Sequence, residues 1–242
     1  MTFFRAIAAF CSSSIGRKIL VAVTGIALLL FLAGHLAGNL LIYVGPEAIN
    51  AYAYKLHHML HGSFIWIARG GLLACVGIHV YFTIQLVREN RAARDTAYAK
   101  PNTVQATKAS RTMIMSGLVI LAFVVYHILH FTAQVTPGVK ATPMGGPEIT
   151  AAYGLPDGAV VKDVYNMVIT GFKNPVVSIF YIIAMGLLCT HLSHGFSSAF
   201  QTLGLRSKRT AKVIKGVGLA YAAIIFLGNI SIPISVLTGV VK

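Results

Sequence analysis

The sequence predicts an all-α integral membrane protein, a single membrane domain over residues 1–242 that forms a bundle of five transmembrane helices. Hydrophobic residues make up 56% of the chain and charged residues only 11%, with a mean hydropathy of +0.75, well above the balance of a soluble domain. Five apolar stretches reach the roughly 20 residues that a helix needs to cross a hydrocarbon core of about 30 Å. Because they lack the alternation of a membrane β-strand, a helical bundle follows.

The connecting segments differ in length and character. Two longer loops, 44–63 and 135–174, are expected on the outer face. The first contains GPEAINAYAYKLHHML, which is typical of an interfacial helix, and the second has Val161, Val164 and Val168 at helical spacing. The predicted transmembrane spans are 18–43, 64–87, 112–134, 175–203 and 213–238.

Basic residues are distributed unevenly between the connecting segments. The N-terminus and the 88–111 and 204–215 loops hold 14 of the 20 Lys and Arg residues, which gives a formal charge of +12 on that side against +2 on the other. The positive-inside rule therefore predicts a cytoplasmic N-terminus and an outside C-terminus, in a bacterial cytoplasmic membrane. The same rule explains the net charge of +14 without nucleic acid as a partner.

The N-terminal stretch MTFFRAIAAFCSSS precedes the first span. Its apolar run of about five residues is too short for the hydrophobic region of a signal peptide. An amphipathic helix at the membrane interface is expected there.

Four separate apolar spans each carry a histidine within the apolar sequence. A buried imidazole costs free energy unless it has a partner, so one such residue in each of four helices indicates a bound cofactor, and haem is the best candidate. From spacing alone His130 and His194 remain alternatives, because each follows one of these histidines by three residues on nearly the same helix face. The four histidines are His35, His79, His127 and His191.

Depth along the helices predicts how these histidines pair. At about 1.5 Å per residue, His35 and His127 lie roughly 26 and 24 Å from the cytoplasmic edge, in the outer half of the bilayer. His79 lies about 14 Å from that edge, and His191 lies about 22 Å from Arg206. The fourth helix is expected to extend past the membrane by about two turns, which brings His191 to the level of His79. The bundle is therefore predicted to hold two stacked b haems.

The predicted ligands indicate the chemistry. An iron bound by two neutral imidazoles has no open position, so one pair near each face predicts transmembrane electron transfer. Because Cys11, Cys75 and Cys189 form neither C-x-x-C nor C-x-x-C-H, neither a zinc site nor covalent haem attachment is indicated. Arg69, at about the depth of His35, is either a partner of haem propionates or a snorkelling interfacial arginine.

Two other classes compete with this interpretation. Another dihaem membrane subunit, the cytochrome b of quinol:cytochrome c oxidoreductases, places two ligands on each of two helices, whereas here each of four spans has one ligand position. A haem-free transporter would use discontinuous helices and often shows internal repeats. The sequence has neither clear repeats nor carboxylates within the predicted spans.

Motifs on four helices resemble the five-helix dihaem cytochrome b anchor of succinate dehydrogenases and fumarate reductases, over nearly the whole chain. In that family the first histidine of each motif ligates haem. The resemblance therefore implies the pair His35 and His127 for the outer haem and the pair His79 and His191 for the inner haem. The motifs are GHLAGNL, GIHVYFTIQL, VVYHILHF and THLSHGFSSAFQTLGL.

The resemblance also implies partners. These are a flavoprotein with covalent FAD, an iron-sulfur subunit on the cytoplasmic face, and a membrane quinone, commonly menaquinone, so this chain alone is not expected to oxidise succinate. Some fumarate reductases of the family carry a membrane glutamate two residues before the fourth-helix ligand. Here that position is Cys189, so a carboxylate proton relay through the membrane is not expected.

A quinone near the outer haem needs an apolar slot and hydrogen-bond partners for two carbonyls. One of His57, His58 and His61 is hypothesised to contact the quinone or to exchange its protons, the alternative being a solvated interfacial histidine. Tyr43 and Arg69 are further candidates near the same face.

Overall fold

The computed structural model describes residues 2–93 and 112–242, and helices dominate it. Five helical stretches are long and apolar enough to cross a membrane: Ser14–Tyr43, Pro46–Ala92, Met113–Thr132, Pro175–Thr202 and Ala211–Leu237. The third of them ends in a π turn over Ile128–Thr132. The chain is therefore a multi-pass helical membrane protein. In chain order the helices are α1 (Phe3–Ser12), α2 (Ser14–Asn39), α3 (Pro46–His58), α4 (Ser63–Ala92), α5 (Met113–His127), α6 (Pro147–Ala152), α7 (Val164–Phe172), α8 (Pro175–Thr202) and α9 (Ala211–Leu237).

The five long helices expose large apolar side chains that a soluble protein would bury. Leu30 on α2 is 71% exposed and Trp66 on α4 is 69% exposed, and Ile224 on α9 is exposed to a similar degree. In lipid such a surface is stable because the hydrocarbon solvates it, while the helical backbone satisfies its own polar groups.

The observed helices agree with the predicted spans except at their ends. The first span ends as a 3₁₀ turn, Leu40–Tyr43, and the second, predicted to end at 87, continues to Ala92. In the third span the α-helix gives way at Ile128 to a π turn, which the sequence analysis did not predict. Most of the basic loop predicted over 88–111 lies outside the described residues.

The two longer loops contain short elements. The interfacial helix predicted after the first span is α3, and the 135–174 loop holds α6, α7 and a ribbon of two antiparallel strands, β1 (Pro143–Met144) and β2 (Val161–Lys162). The prediction that Val161 shares a helix with Val164 and Val168 is wrong, because Val161 lies in β2. The physical reason is a helix cap: the Asp163 carboxylate accepts the Asn166 N–H at 3.0 Å, so α7 begins at Val164.

The helix α1 was expected from the amphipathic N-terminal stretch, and Phe3 and Phe4 on it are largely exposed. Arg17 on α2 stabilises the C-terminal end of α1, because its guanidinium donates to the Cys11 carbonyl at 3.0 Å and to the Ser12 carbonyl at 2.7 Å. These carbonyls have no partner within the helix, and a cation at this end also interacts favourably with the helix dipole. Arg17 pairs in addition with Glu89 on α4.

The chain forms two compact units, each assembled from three stretches of sequence. The first unit comprises Met1–Phe31, Gly71–Leu118 and Leu188–Ala223. The second unit comprises Leu32–Gly70, Val119–Leu187 and Ile224–Lys242. Small residues let helices approach closely within each unit. In the first, Ala222 is fully buried, and in the second a Cβ on Gly228 would lie 2.8 Å from the Leu36 side chain.

A buried polar contact joins α3 to α7 within the second unit. Asn50 is 0% exposed; its Oδ1 accepts the Tyr165 N–H at 3.0 Å, and its Nδ2 donates to the Asp163 carboxylate at 3.4 Å. The same carboxylate caps α7, so one amide side chain fixes both the position of that helix and the orientation of its cap.

We expect Asn50→Ala to lower the free energy of unfolding by about 1–3 kcal/mol, because it leaves the buried Tyr165 N–H without its acceptor. Thr170→Ala, an exposed position on α7, is the matched control and should change stability by no more than about 0.5 kcal/mol. Thermal unfolding of the purified protein in detergent measures both. Equal stability of the two variants would contradict a structural role for Asn50.

Candidate functional site

The first unit brings His79 of α4 together with the backbone of α2. The His79 Nδ1 lies 3.1 Å from the Val21 carbonyl oxygen and 3.3 Å from the Thr24 hydroxyl. A carbonyl oxygen can only accept, so Nδ1 carries the hydrogen and Nε2 carries the lone pair. The Thr24 hydroxyl uses its own hydrogen on the Leu20 carbonyl at 2.7 Å, which leaves its oxygen as a second acceptor for His79.

His191 of α8 has a corresponding contact with α5 in the same unit. Its Nδ1 lies 3.4 Å from the Ser116 hydroxyl, which donates to the Met113 carbonyl at 3.1 Å. The serine oxygen is thus the acceptor, and His191, like His79, carries its lone pair on Nε2.

A glycine lies against each of these two rings. A Cβ on Gly25 would stand 3.3 Å from His79 Cε1, and one on Gly117 would stand 3.5 Å from His191 Cε1. In an α-helix the residue at i+4 bonds to the carbonyl of residue i, so Gly25 is the residue above Val21. Because it has no side chain, the second lone pair of that carbonyl stays open to His79.

Thr24, Gly25 and Ser116 were missed in the sequence analysis, although a signal for them exists. A hydroxyl residue followed by glycine precedes His35 and His127 at the same spacing, as TGIALLLFLAGH in one helix and SGLVILAFVVYH in the other. The two segments also share a phenylalanine four residues before the histidine. The two segments thus share a short pattern of twelve residues that contains the hydroxyl, the glycine and the histidine at matched positions.

In the second unit the rings of His35 and His127 face each other. Their centroids lie 5.7 Å apart and the ring planes are at 90°. The His127 Nδ1 lies 3.3 Å from the Tyr181 hydroxyl. This geometry favours His127 over His130 as the partner of His35, and the contacts with Ser116 and Gly117 likewise favour His191 over His194.

Two imidazoles bound to one metal ion by bonds of about 2 Å have ring centroids about 6 Å apart, close to the separation of His35 and His127. These two rings supply two nitrogen donors within apolar helices, which is the donor set of a bis-histidine haem. Among the residues the structure describes there is no cluster of three or more His, Cys, Asp or Glu side chains that could hold a metal ion by themselves. The separation and the chemistry of the His35 and His127 imidazoles fit haem iron.

Arg69 and Tyr43 have other partners. The Arg69 guanidinium lies over the Trp66 ring of the same helix, 5.1 Å from its centroid. The Tyr43 hydroxyl donates to the Ser231 hydroxyl at 2.8 Å and lies 3.0 Å from that of Ser235. Both contacts lie within the second unit.

His57 and His58 line a cavity of about 260 Å³ between α3 and the segment that begins α7. His57 Nδ1 lies 2.8 Å from the Ala53 carbonyl and His58 Nδ1 lies 2.9 Å from the Tyr54 carbonyl, so both rings keep Nε2 as an acceptor. The other lining residues are Ala53, Tyr54, Val160, Lys162 and Val164. His61 instead stands in the turn after α3, with a left-handed φ of 54°.

Comparison of the chain with family models, with curated proteins and with solved structures finds no match. Any proposal for the function therefore rests on the residues of this chain. The rings of His35 and His127 are neighbours, and Nδ1 of His79, His127 and His191 is hydrogen-bonded to protein.

Packing around His130 depends on a glycine. A Cβ on Gly171 would lie 2.8 Å from the Phe131 ring and 3.2 Å from His130 Cε1. We expect Gly171→Ala to destabilise the protein by about 1–3 kcal/mol through overpacking. Gly216→Ala on α9, where a Cβ meets nothing within 4 Å, is the control and should be neutral or stabilising. Thermal unfolding of the two variants tests this. A Gly171→Ala protein as stable as the wild type would contradict the prediction, because the Phe131 and His130 side chains would then have moved at little cost.

Proposed function

We propose that the chain is the membrane-anchor and dihaem cytochrome b subunit of a succinate:quinone oxidoreductase, with His35 and His127 as axial ligands of one haem and His79 and His191 as those of the other. The observation that carries the proposal is the arrangement of the imidazoles. The rings of His35 and His127 are neighbours within apolar helices, and Nδ1 of His79, His127 and His191 is hydrogen-bonded to protein.

The contacts of these histidines suit axial ligation. A hydrogen bond from Nδ1 fixes the tautomer, orients Nε2 and raises the basicity of the ligand. Val21 and Thr24 provide this for His79, Ser116 provides it for His191, and Tyr181 provides it for His127. A b haem held by two neutral imidazoles supplies one-electron transfer and leaves no position open for oxygen.

The partners in this proposal are an iron-sulfur subunit and, through it, a flavoprotein with FAD. The iron-sulfur subunit docks on the basic, cytoplasmic face of the anchor, and electrons pass between it and menaquinone. The positive-inside rule supports this orientation, with a cytoplasmic N-terminus in a bacterial cytoplasmic membrane. Succinate chemistry belongs to the flavoprotein and not to this chain.

The cavity lined by His57 and His58 is the proposed quinone site. It combines the apolar side chains of Val160 and Val164 with imidazoles and the Lys162 ammonium, and the latter can donate to a quinone carbonyl. Arg69 is retained as a candidate for a haem propionate, since rotation away from Trp66 would free its guanidinium for a bidentate contact.

Haem content tests the proposal directly. The purified chain should give a b-type reduced-minus-oxidised spectrum and about two haems per chain by pyridine haemochrome analysis. Replacing any one of the four ligands with Ala should reduce the content to one haem, because a single imidazole leaves an axial position unfilled. His61→Ala is the control and should retain two. Absence of haem from the wild-type chain would refute the assignment.

The quinone site has its own test. In the assembled complex we expect His57→Ala or His58→Ala to lower the rate of quinone reduction about tenfold or more while both haems stay bound, because the variants remove polar groups that face the cavity. Tyr43→Phe should have little effect, since the Tyr43 hydroxyl is engaged by Ser231 and Ser235. Wild-type turnover in both histidine variants would exclude this cavity.

A further inference from the structure

The Tyr181 hydroxyl lies between two imidazoles. Its Oη is 3.3 Å from His127 Nδ1 and 2.9 Å from His130 Nδ1. The phenol ring is buried and held by edge contacts with Phe123 and Phe172, whose ring centroids lie 5.0 and 4.9 Å away. The hydroxyl is thus fixed in place between the two histidines.

The single hydroxyl hydrogen decides the direction of these bonds. If His127 binds iron through Nε2, its Nδ1 carries a hydrogen and donates to the Tyr181 oxygen. The Tyr181 hydroxyl then donates to His130 Nδ1, which must be the lone-pair nitrogen of a neutral imidazole. The order of the chain is His127 N–H to Tyr181 O–H to His130.

His130 is held in an unusual place for a polar side chain. It is 0% exposed, and its Nε2 is buried with no hydrogen-bond partner among the described residues. It also lies in the π turn that follows His127, a helix irregularity that is frequent at functional sites. A buried polar atom without a partner costs free energy, so packing alone does not explain a histidine here.

We propose that Tyr181 and His130 are positioning residues of the haem site formed by His35 and His127, an inference that rests on the haem binding proposed above. The chain of hydrogen bonds holds the His127 ring and draws its Nδ1 hydrogen toward Tyr181. A more basic axial imidazole stabilises ferric over ferrous iron, so the chain lowers the reduction potential at this site. The His79 and His191 site has different acceptors, the Val21 carbonyl with Thr24 and the Ser116 hydroxyl.

The test is a redox titration of the haem-loaded protein, followed optically and by EPR of the low-spin ferric signals. Tyr181→Phe keeps the ring and removes the acceptor. It should raise the midpoint potential of one haem by the equivalent of a roughly threefold to tenfold change in the ferrous-to-ferric ratio, tenfold being about 59 mV for one electron. The EPR signal of that haem should shift, and the other haem should be unchanged.

Matched variants separate this role from packing. Tyr126→Phe lies in the same aromatic cluster, and its hydroxyl bonds neither imidazole among the described contacts, so both potentials should stay at their wild-type values. His130→Leu removes the end of the chain and should shift the potential in the same direction as Tyr181→Phe. His130→Asn keeps an acceptor close to the Nδ1 position and should restore part of the wild-type value.

The outcomes distinguish this inference from the proposed function. Two haems with unshifted potentials in Tyr181→Phe would overturn the inference and leave the cytochrome assignment intact. Equal shifts of both haems would also overturn it, because they indicate a general disturbance. If Tyr181→Phe loses a haem, the inference is tested with the two His130 variants instead. Identical midpoint potentials in His130→Leu and His130→Asn would overturn it. A wild-type chain without haem would overturn both.

Discussion

The structure depends on satisfying the N–H of an imidazole inside a membrane-spanning helix. Hydrocarbon offers no hydrogen bonds, so each buried ring needs an acceptor from the protein, and a regular helix has already used its backbone carbonyls. At His79 the acceptors of the Nδ1 hydrogen are the Val21 carbonyl and the Thr24 hydroxyl. The second lone pair of that carbonyl is accessible because Gly25 has no side chain. A hydroxyl residue next to a glycine thus lets one helix serve as the hydrogen-bond partner of another.

That solution has two consequences for the site. It places the His79 imidazole against a helix backbone, where a Cβ on Gly25 would stand 3.3 Å from the ring and crowd it. It also assigns the hydrogen to Nδ1 and so presents Nε2 to whatever occupies the space between the helices. The position and the protonation of His79 are therefore set by the same contacts, and under the proposed function these contacts leave a neutral nitrogen free to bind iron.

The sequence alone predicted the features that depend on local composition. Hydropathy located the five long helices. Depth along the helices paired His35 with His127, whose ring centroids lie 5.7 Å apart in the structure. It did not predict that Asp163 starts a helix and leaves Val161 in a strand, because the cap competes with a weak valine periodicity. Nor did it predict the acceptors of His79, since Val21 lies 58 residues away on another helix, and the π turn that includes His130 has no recognisable sequence pattern.

The hydrogen-bond partners of the histidines differ between the two units, and this difference follows from the helices that surround them. A backbone carbonyl is available in any sequence and varies little in strength, whereas a phenol polarised by a second imidazole exists only where Tyr181 and His130 are both present. Two haems with identical axial ligands would have similar potentials unless their surroundings differed. Under the proposed function, the contacts of Nδ1 are therefore the means by which this chain can give its two haems unequal potentials, and so favour one direction of electron flow, without changing a ligand.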